Sequence, residues 1–420
     1  MTALSPTAPR VQVDPDRWPD VARVPLSLKA RGAAFVTRGI FRRAMAGLPV
    51  RVVWPDGSCM GGAADVPTAP TMHVHDPSAF MRRVGSAGLI GFGESYLAGE
   101  WDSNDLAALI AAFATGVDAL VPAPLKRMRS AYLARQPRAE RPTPENARSN
   151  VERHYDLSND MFALFLDPTM TYSSALFVDD DESLQTAQHR KIDRMLDQAR
   201  VTAGSQVLEI GTGWGELALR AARRGARVHS VTLSREQLEW TRAKITAAGC
   251  ADRVSVELCD YRDVRGRYDA VLSVEMVEAV GLDYLDGYYA VLERSLRDGG
   301  RAVVQAITMP HQRALETRDG YTWIHKYVFP GGALPSPEML ASSAAAAGLV
   351  GVDALSIGSS YAETLRRWAE TFDGASEALA RLGFDEVFRR MWTFYLRYSE
   401  GGFRAGYLDV QQLTYERATA

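Results

Sequence analysis

Between residues 206 and 307, five short apolar runs at 206–210, 227–231, 253–259, 268–274 and 301–307 alternate with amphipathic stretches of helical length. Runs this short cannot be buried helices. Their regular separation by helical pattern calls for parallel strands joined by crossover helices. The expected fold class is α/β: a doubly wound, mostly parallel sheet, whose ligand sits beyond the carboxyl ends of the strands. The first run leads into a glycine turn, Gly211-Thr212-Gly213-Trp214-Gly215, and then into a helix.

Glycines at alternate positions let a backbone turn tightly and approach a ligand closely, with the following helix N-terminus aimed at it. Nicotinamide, flavin and S-adenosylmethionine sites all use such turns, and two features separate them here. The third glycine follows the second by two residues, whereas the dinucleotide fingerprint places it three after. The second run ends in hydroxyls and an amide, Thr232, Ser234 and Gln237, where a dinucleotide enzyme would present an acid to the ribose. The third run leads to Asp260 and Tyr261, an acid and an aromatic suited to an adenine ring. Together with Gly211, Gly213 and Gly215, these residues favour S-adenosylmethionine as the cofactor.

The chain has 420 residues, 48 basic against 51 acidic, a net charge of −3. That balance argues against a nucleic-acid binder, which needs clustered positive charge. Its three cysteines, Cys59, Cys250 and Cys259, lie far apart, so neither a disulfide framework nor a zinc ribbon is expected, and the compartment is read as reducing. The start, MTALSPTAPR, lacks the pattern of an export signal and predicts a cytoplasmic protein. A Pro- and charge-rich stretch at 136–150 reads as a linker between a smaller N-terminal α+β domain, 1–135, and the α/β domain, 151–420. Within the first domain, the segment 29–45 alternates bases with Phe35, Val36, Ile40 and Phe41. It reads either as a helix lying on an anionic membrane or as a solvated helix packed on its own domain. His73 and His75 read as strand residues, and no metal site is expected.

Several strings resemble the cyclopropane-fatty-acyl-phospholipid synthase family: HYDLSND at 154–160, TYSSALF at 171–177, LEIGTGWG at 208–215, SVEMVEAVG at 273–281, HKYVFPGGALPS at 325–336 and GFRAGYLDVQQ at 402–412, with GFGESYLAGEWD at 91–102 more faintly. The resemblance implies transfer of a methyl group from S-adenosylmethionine to a cis double bond in an acyl chain of a membrane phospholipid, by an enzyme peripheral to the inner membrane face and often homodimeric. Tyr172 and Ser173 resemble family residues that touch the cofactor, the aromatic alternatively being core, while His154 and Tyr155 either close the cofactor pocket or cap the following helix. An alkene is a weak nucleophile, so such a site must align it with the sulfonium methyl and exclude water. The carbocation that results then loses a proton to a base.

In the family that base is a bicarbonate ion in a small polar cluster. The resemblance assigns the cluster to Glu278, the backbone of Ile307, Tyr361, Ser174 and Gln305. The last two depart from the family's usual cysteine and histidine, yet serine and glutamine still donate hydrogen bonds to an anion. Glu275 adds a second carboxylate three residues before Glu278, as on one helix face. Two such acids sharing one proton suit proton removal without bicarbonate; alternatively Glu275 is simply hydrogen-bonded at the strand end. Immediate proton loss gives a cyclopropane ring. A prior hydride shift gives a methylene branch, the precursor of a 10-methyl-type acid once a separate reductase acts. The alternatives are an S-adenosylmethionine-dependent methyltransferase of a soluble small molecule and a non-enzymatic relative serving as a scaffold. The late aromatics Trp392, Phe394, Tyr395 and Phe403 look like a lining for an acyl chain, although such stripes are more often core, and they are not assigned to the site.

Overall fold

The computed structural model describes residues 11–116, 137, 158–179 and 181–418. The first ten residues, the linker stretch other than Pro137, and His154 and Tyr155 lie outside the described residues. The chain forms two compact units: Met1–Gln136 with Gly320–Val328 and Ala369–Tyr407, and Pro137–Asp319 with Phe329–Trp368 and Leu408–Ala420.

The first unit holds a four-stranded sheet, ordered β2-β1-β3-β4, built from β1 (Arg51–Val53), β2 (Cys59–Met60), β3 (Thr71–Val74) and β4 (Trp101–Ser103). Its longer helices are Leu28–Ala46, Pro77–Leu97, Leu106–Thr115 and Glu386–Arg404. Trp392, Phe394, Tyr395 and Phe403 are buried along the last of these, as core residues. His75 is exposed and meets Asp102 at 3.2 Å, and no group of residues among those described could hold a metal ion.

The second unit carries a seven-stranded sheet in the order β10-β11-β9-β8-β5-β6-β7. Its strands are β5 (Gln206–Ile210), β6 (Arg227–Thr232), β7 (Val254–Leu258), β8 (Tyr268–Val274), β9 (Leu296–Thr308), β10 (Leu349–Ser356) and β11 (Asp409–Arg417). β5 to β9 pair in parallel, while β11 runs antiparallel to β9 and β10 antiparallel to β11. Alternate residues feed two apolar cores: Val207, Ala270, Leu272 and Val303 face one way, with the helices Leu184–Gln198 and Glu216–Arg223, while Leu208, Val271, Ala302 and Val304 face the other. Burial on both faces is why these strands read as continuous apolar runs rather than alternating ones. β10 gives no such run, because one side chain after another along this edge strand is exposed or half-exposed. β5 has β6 on one side and β8 on the other, so the winding reverses at β5 and opens a crevice above its carboxyl end. The glycine turn stands there.

Leu272 is fully buried at the centre of this sheet. Leu272→Ala is expected to destabilise the unit by about 2–5 kcal/mol, read from urea unfolding; a loss well below that range would mean the sheet is not the packed centre.

Candidate active site

The three glycines of the turn have φ of 92°, 52° and 81° at Gly211, Gly213 and Gly215, a region that favours glycine. A Cβ on Gly211 would lie 2.6 Å from Met276 Cγ, and one on Gly215 would lie 2.5 Å from Thr241 Cγ2. Gly213 differs, because nothing lies within 4 Å of its Cβ position. Its bare backbone therefore borders open space, a cradle that a side chain would fill and that suits a bound S-adenosylmethionine. Beneath the turn, Glu209 is buried and accepts a hydrogen bond from Ser230, whose hydroxyl also meets Thr212 at 2.7 Å. Burial pushes the Glu209 carboxyl up to about 8.

Thr232, Ser234 and Gln237 lie at the carboxyl end of β6, turned onto one another. Thr232 donates to the Gln237 side chain at 2.9 Å, and the Ser234 hydroxyl accepts from the Gln237 amide, capping the helix Arg235–Ala247. Asp260, just after β7, accepts from the Arg262 guanidinium, and Tyr261 packs edge-on against Tyr288. Tyr172 sits in an aromatic group with Phe162, Trp214 and Trp368, which joins it to the glycine turn through Trp214. Ser173 is buried; its hydroxyl accepts from Lys191 at 2.6 Å and its carbonyl from Gln188 at 2.8 Å.

Glu275, Glu278, Ser174, Gln305, Ile307 and Tyr361 come together at the carboxyl ends of β8 and β9. Glu275 has a φ of 49°, costly for a residue with a Cβ, and its amide donates to the Gln305 carbonyl at 2.8 Å. This turn re-aims the chain, so the two acids do not share a helix face: Glu275 ends the strand, and Glu278 sits on the following 3₁₀ turn, Val277–Ala279. The Glu275 carboxylate accepts three hydrogen bonds, at 2.9 Å from the Ser174 amide, 2.8 Å from Gln305 Nε2 and 3.1 Å from the Tyr361 hydroxyl. Ser174 contributes its backbone here, because its own hydroxyl donates to the Ala175 carbonyl at 2.9 Å. Gln305 is oriented in turn by Gln412, whose amide donates to its carbonyl oxygen at 3.0 Å. A bicarbonate ion does not fit on these donors beside that carboxylate, since Glu275 already occupies all three.

Glu278 Oε1 accepts from the Ile307 amide, and Oε2 is buried with no hydrogen-bond partner among the described residues. Burial, reinforced by the charge of Glu275, pushes the Glu278 carboxyl up to about 8. Burial also raises Glu275, but Lys191 opposes it. Lys191 is itself fully buried, and burial pushes its amine down to about 8. Lys191, Gln188 and Gln412 escaped the sequence reading. The available signal was a glutamine and a lysine three residues apart on the apolar stripe of the helix Leu184–Gln198, beside Ala187, Ile192 and Met195.

A family model described as mycolic acid cyclopropane synthetase matches residues 143–413. The chain belongs to this family. Over 99% of its length it is 51% identical to 98% of tuberculostearic acid methyltransferase UfaA1 of Mycobacterium tuberculosis. It is 34% identical to cyclopropane-fatty-acyl-phospholipid synthase of Escherichia coli K12, over 80% of this chain and 86% of that one. Among solved structures, mycolic acid cyclopropane synthase CmaA1 complexed with SAH and CTAB superposes with a TM-score of 0.60 at 31% identity, over 67% of this chain and 99% of that one. The family makes this chain an S-adenosylmethionine-dependent methyltransferase.

The raised Glu278 carboxyl has a thermodynamic consequence. Between its ordinary 4.5 and about 8 the folded state holds a proton that the unfolded state has released, so stability falls as pH rises through that window and levels off above it. Glu278→Gln removes the titration. The variant is expected to gain stability over the parent as pH is raised from 5 to 8, in denaturant titrations at each pH; a constant difference would place Glu278 in an ordinary solvated setting.

Proposed function

We propose that this enzyme transfers the methyl carbon of S-adenosylmethionine to the cis double bond of an unsaturated acyl chain carried by a membrane phospholipid, leaving a methylene branch. The observation that carries the proposal is the enclosed Glu275–Glu278 pair at the carboxyl edge of the sheet that bears the glycine turn. Bound S-adenosylmethionine would supply an electrophilic methyl on a sulfonium, held by Gly211, Gly213, Gly215, Tyr172 and Ser173. Thr232, Ser234, Gln237, Asp260 and Tyr261 border the same edge and would shape the adenosine end. The aromatic group around Tyr172 keeps water from the cation that forms on the acyl chain. Glu278 Oε2, buried and unpartnered, is the proposed proton acceptor, and the fixed negative charge of Glu275 raises its basicity. A hydride first shifts from the methylated carbon to the neighbouring cationic carbon. Glu278 then takes a proton from the added methyl, and the C–H electron pair left behind becomes the π bond of the methylene group. The full-length likeness to an enzyme named as a methyltransferase, rather than a cyclopropane synthase, supports the uncyclised product. A separate reductase is then the partner needed for a methyl branch, and the homodimer remains part of the proposal.

The substrate's location rests on the first unit, proposed as the membrane-associating domain at the inner membrane face. The helix Leu28–Ala46 presents Lys29, Arg31, Arg38, Arg42 and Arg43 to solvent and contains no acid. Leu28 and Phe35 are more than four-fifths exposed, at 84% and 83%, and Leu26 and Val36 accompany them. Phe41 is not on this surface: it packs edge-on against Phe80 at 5.4 Å, in the core of its own unit. No helix among the described residues is long and apolar enough to cross a membrane.

Two measurements test these statements. Glu278→Gln is expected to lower methyl transfer to mono-unsaturated phospholipid by at least about a thousandfold, in the range of lost general-base catalysis, while S-adenosylhomocysteine still binds in calorimetry; full activity removes the assignment. Phe35→Asp combined with Arg38→Glu should release the protein from anionic vesicles in co-sedimentation at low salt. If the unaltered protein does not bind such vesicles, a soluble acceptor replaces the phospholipid.

A further inference from the structure

We propose that the Glu275 carboxylate is a built-in replacement for the exogenous anion, so that this enzyme works without bicarbonate; the inference rests on the reaction proposed above. A small oxyanion needs convergent donors, and the site has three: the Ser174 amide at 2.9 Å, Gln305 Nε2 at 2.8 Å and the Tyr361 hydroxyl at 3.1 Å. All three end on the two oxygens of one carboxylate belonging to the chain. The covalent link costs backbone strain, because Glu275 holds a φ of 49° that few residues with a Cβ adopt. Strain of that kind persists only where the surroundings hold the residue, and here the donors come from the segment before the helix Leu184–Gln198, from β9 and from the helix Gly358–Gly374.

The surroundings are also matched to a permanent negative charge. Lys191 is 1% exposed and donates to Ser173, the residue preceding Ser174, at 2.6 Å. No carboxylate lies within 4.0 Å of its amine among the described residues, and Glu275 is the foremost charge acting on it. Gln412 ties the two sides, with its amide donating to the Gln305 side chain at 3.0 Å and to the Lys191 carbonyl at 3.3 Å. A mobile anion would need this enclosure open to solution, whereas a tethered carboxylate occupies it from the moment of folding and is not diluted by a falling carbonate supply. In the reaction, a hydride shifts to the cationic carbon, and the added methyl then gives one proton to Glu278 Oε2 and its C–H pair to the π bond of the methylene group. Glu275 stays ionised throughout, so no further reactant is consumed.

The test combines activity with direct binding. Methyl transfer to mono-unsaturated phosphatidylglycerol vesicles is measured in carbon-dioxide-free buffer with and without added bicarbonate. The unaltered enzyme is expected to change by less than twofold. Glu275→Gly, in which glycine accepts the left-handed backbone, is expected to lose at least a hundredfold and to regain at least tenfold with bicarbonate, whereas Glu275→Gln, which fills the space, regains nothing. Independently of activity, ¹³C-bicarbonate titrated into the protein loaded with S-adenosylhomocysteine should show bound signal for Glu275→Gly and none for the unaltered protein. Bound bicarbonate in the unaltered protein, or a severalfold stimulation of it, overturns the inference. If no unsaturated phospholipid is methylated under any condition, the reaction assignment fails, and the ¹³C titration still decides the role of Glu275.

Discussion

The seat of the Glu275 carboxylate is the constraint on which the rest of the catalytic edge depends. Four segments distant in sequence meet at two oxygen atoms: the Ser174 amide, the strand end that carries Glu275, Gln305 on β9 and Tyr361 on a late helix. Removing a carboxylate from water is expensive unless its lone pairs are satisfied and a charge of opposite sign lies near. Three donors and Lys191 meet both conditions. The same arrangement leaves Glu278 as the group that pays electrostatically, since it is buried beside a like charge with one oxygen unpartnered. Two acids in one enclosure thus meet different neighbours, and the proposed division of labour between anion and proton acceptor rests on that difference.

The architecture explains why these residues converge. In a doubly wound sheet, every parallel strand delivers its carboxyl end to the same edge, so Gly211, Thr232, Asp260, Glu275 and Ile307, at or just past those ends, are brought to one edge by topology rather than by sequence. β11, placed antiparallel beside β9, brings Gln412 opposite Gln305 in register, and that pairing lets one glutamine fix the orientation of the other. A parallel strand at this position would present a different register to β9, and the amide of Gln305 would lose its orienting partner.

What the sequence made legible follows the same physics. Strands buried on both faces announce themselves as apolar runs, and β5 and β8 match theirs residue for residue. The glycine turn was legible because positive φ at three alternate residues admits few other side chains. The edge strand β10 was not, since its side chains are mostly exposed and its pairing with β11 is set by a segment about sixty residues later. Thr232, Ser234 and Gln237 read in the sequence as polar groups turned to a ligand; in the structure they also hydrogen-bond one another, with Ser234 capping a helix, a local use that composition cannot separate from a binding one. Lys191 was missed for the opposite reason, because charge on a helix is ordinarily assigned to the solvent side.

The buried lysine shows how far the electrostatics of the edge extends beyond the atoms that would touch substrate. Among the described residues the Lys191 amine donates to a serine hydroxyl, and it is held down to about 8 by burial, close to the value reached by Glu278 from below. A cation forming on an acyl chain near Glu275 would be drawn to the carboxylate and repelled by the ammonium behind it. The ammonium therefore has to sit on the far side of the anion from the reacting carbon. Its hydrogen bond to Ser173 sets it beside the segment whose next amide holds Glu275. The proposed reaction calls for that charge order, ammonium, carboxylate, then developing cation, so that the field of the carboxylate is available when the carbocation appears.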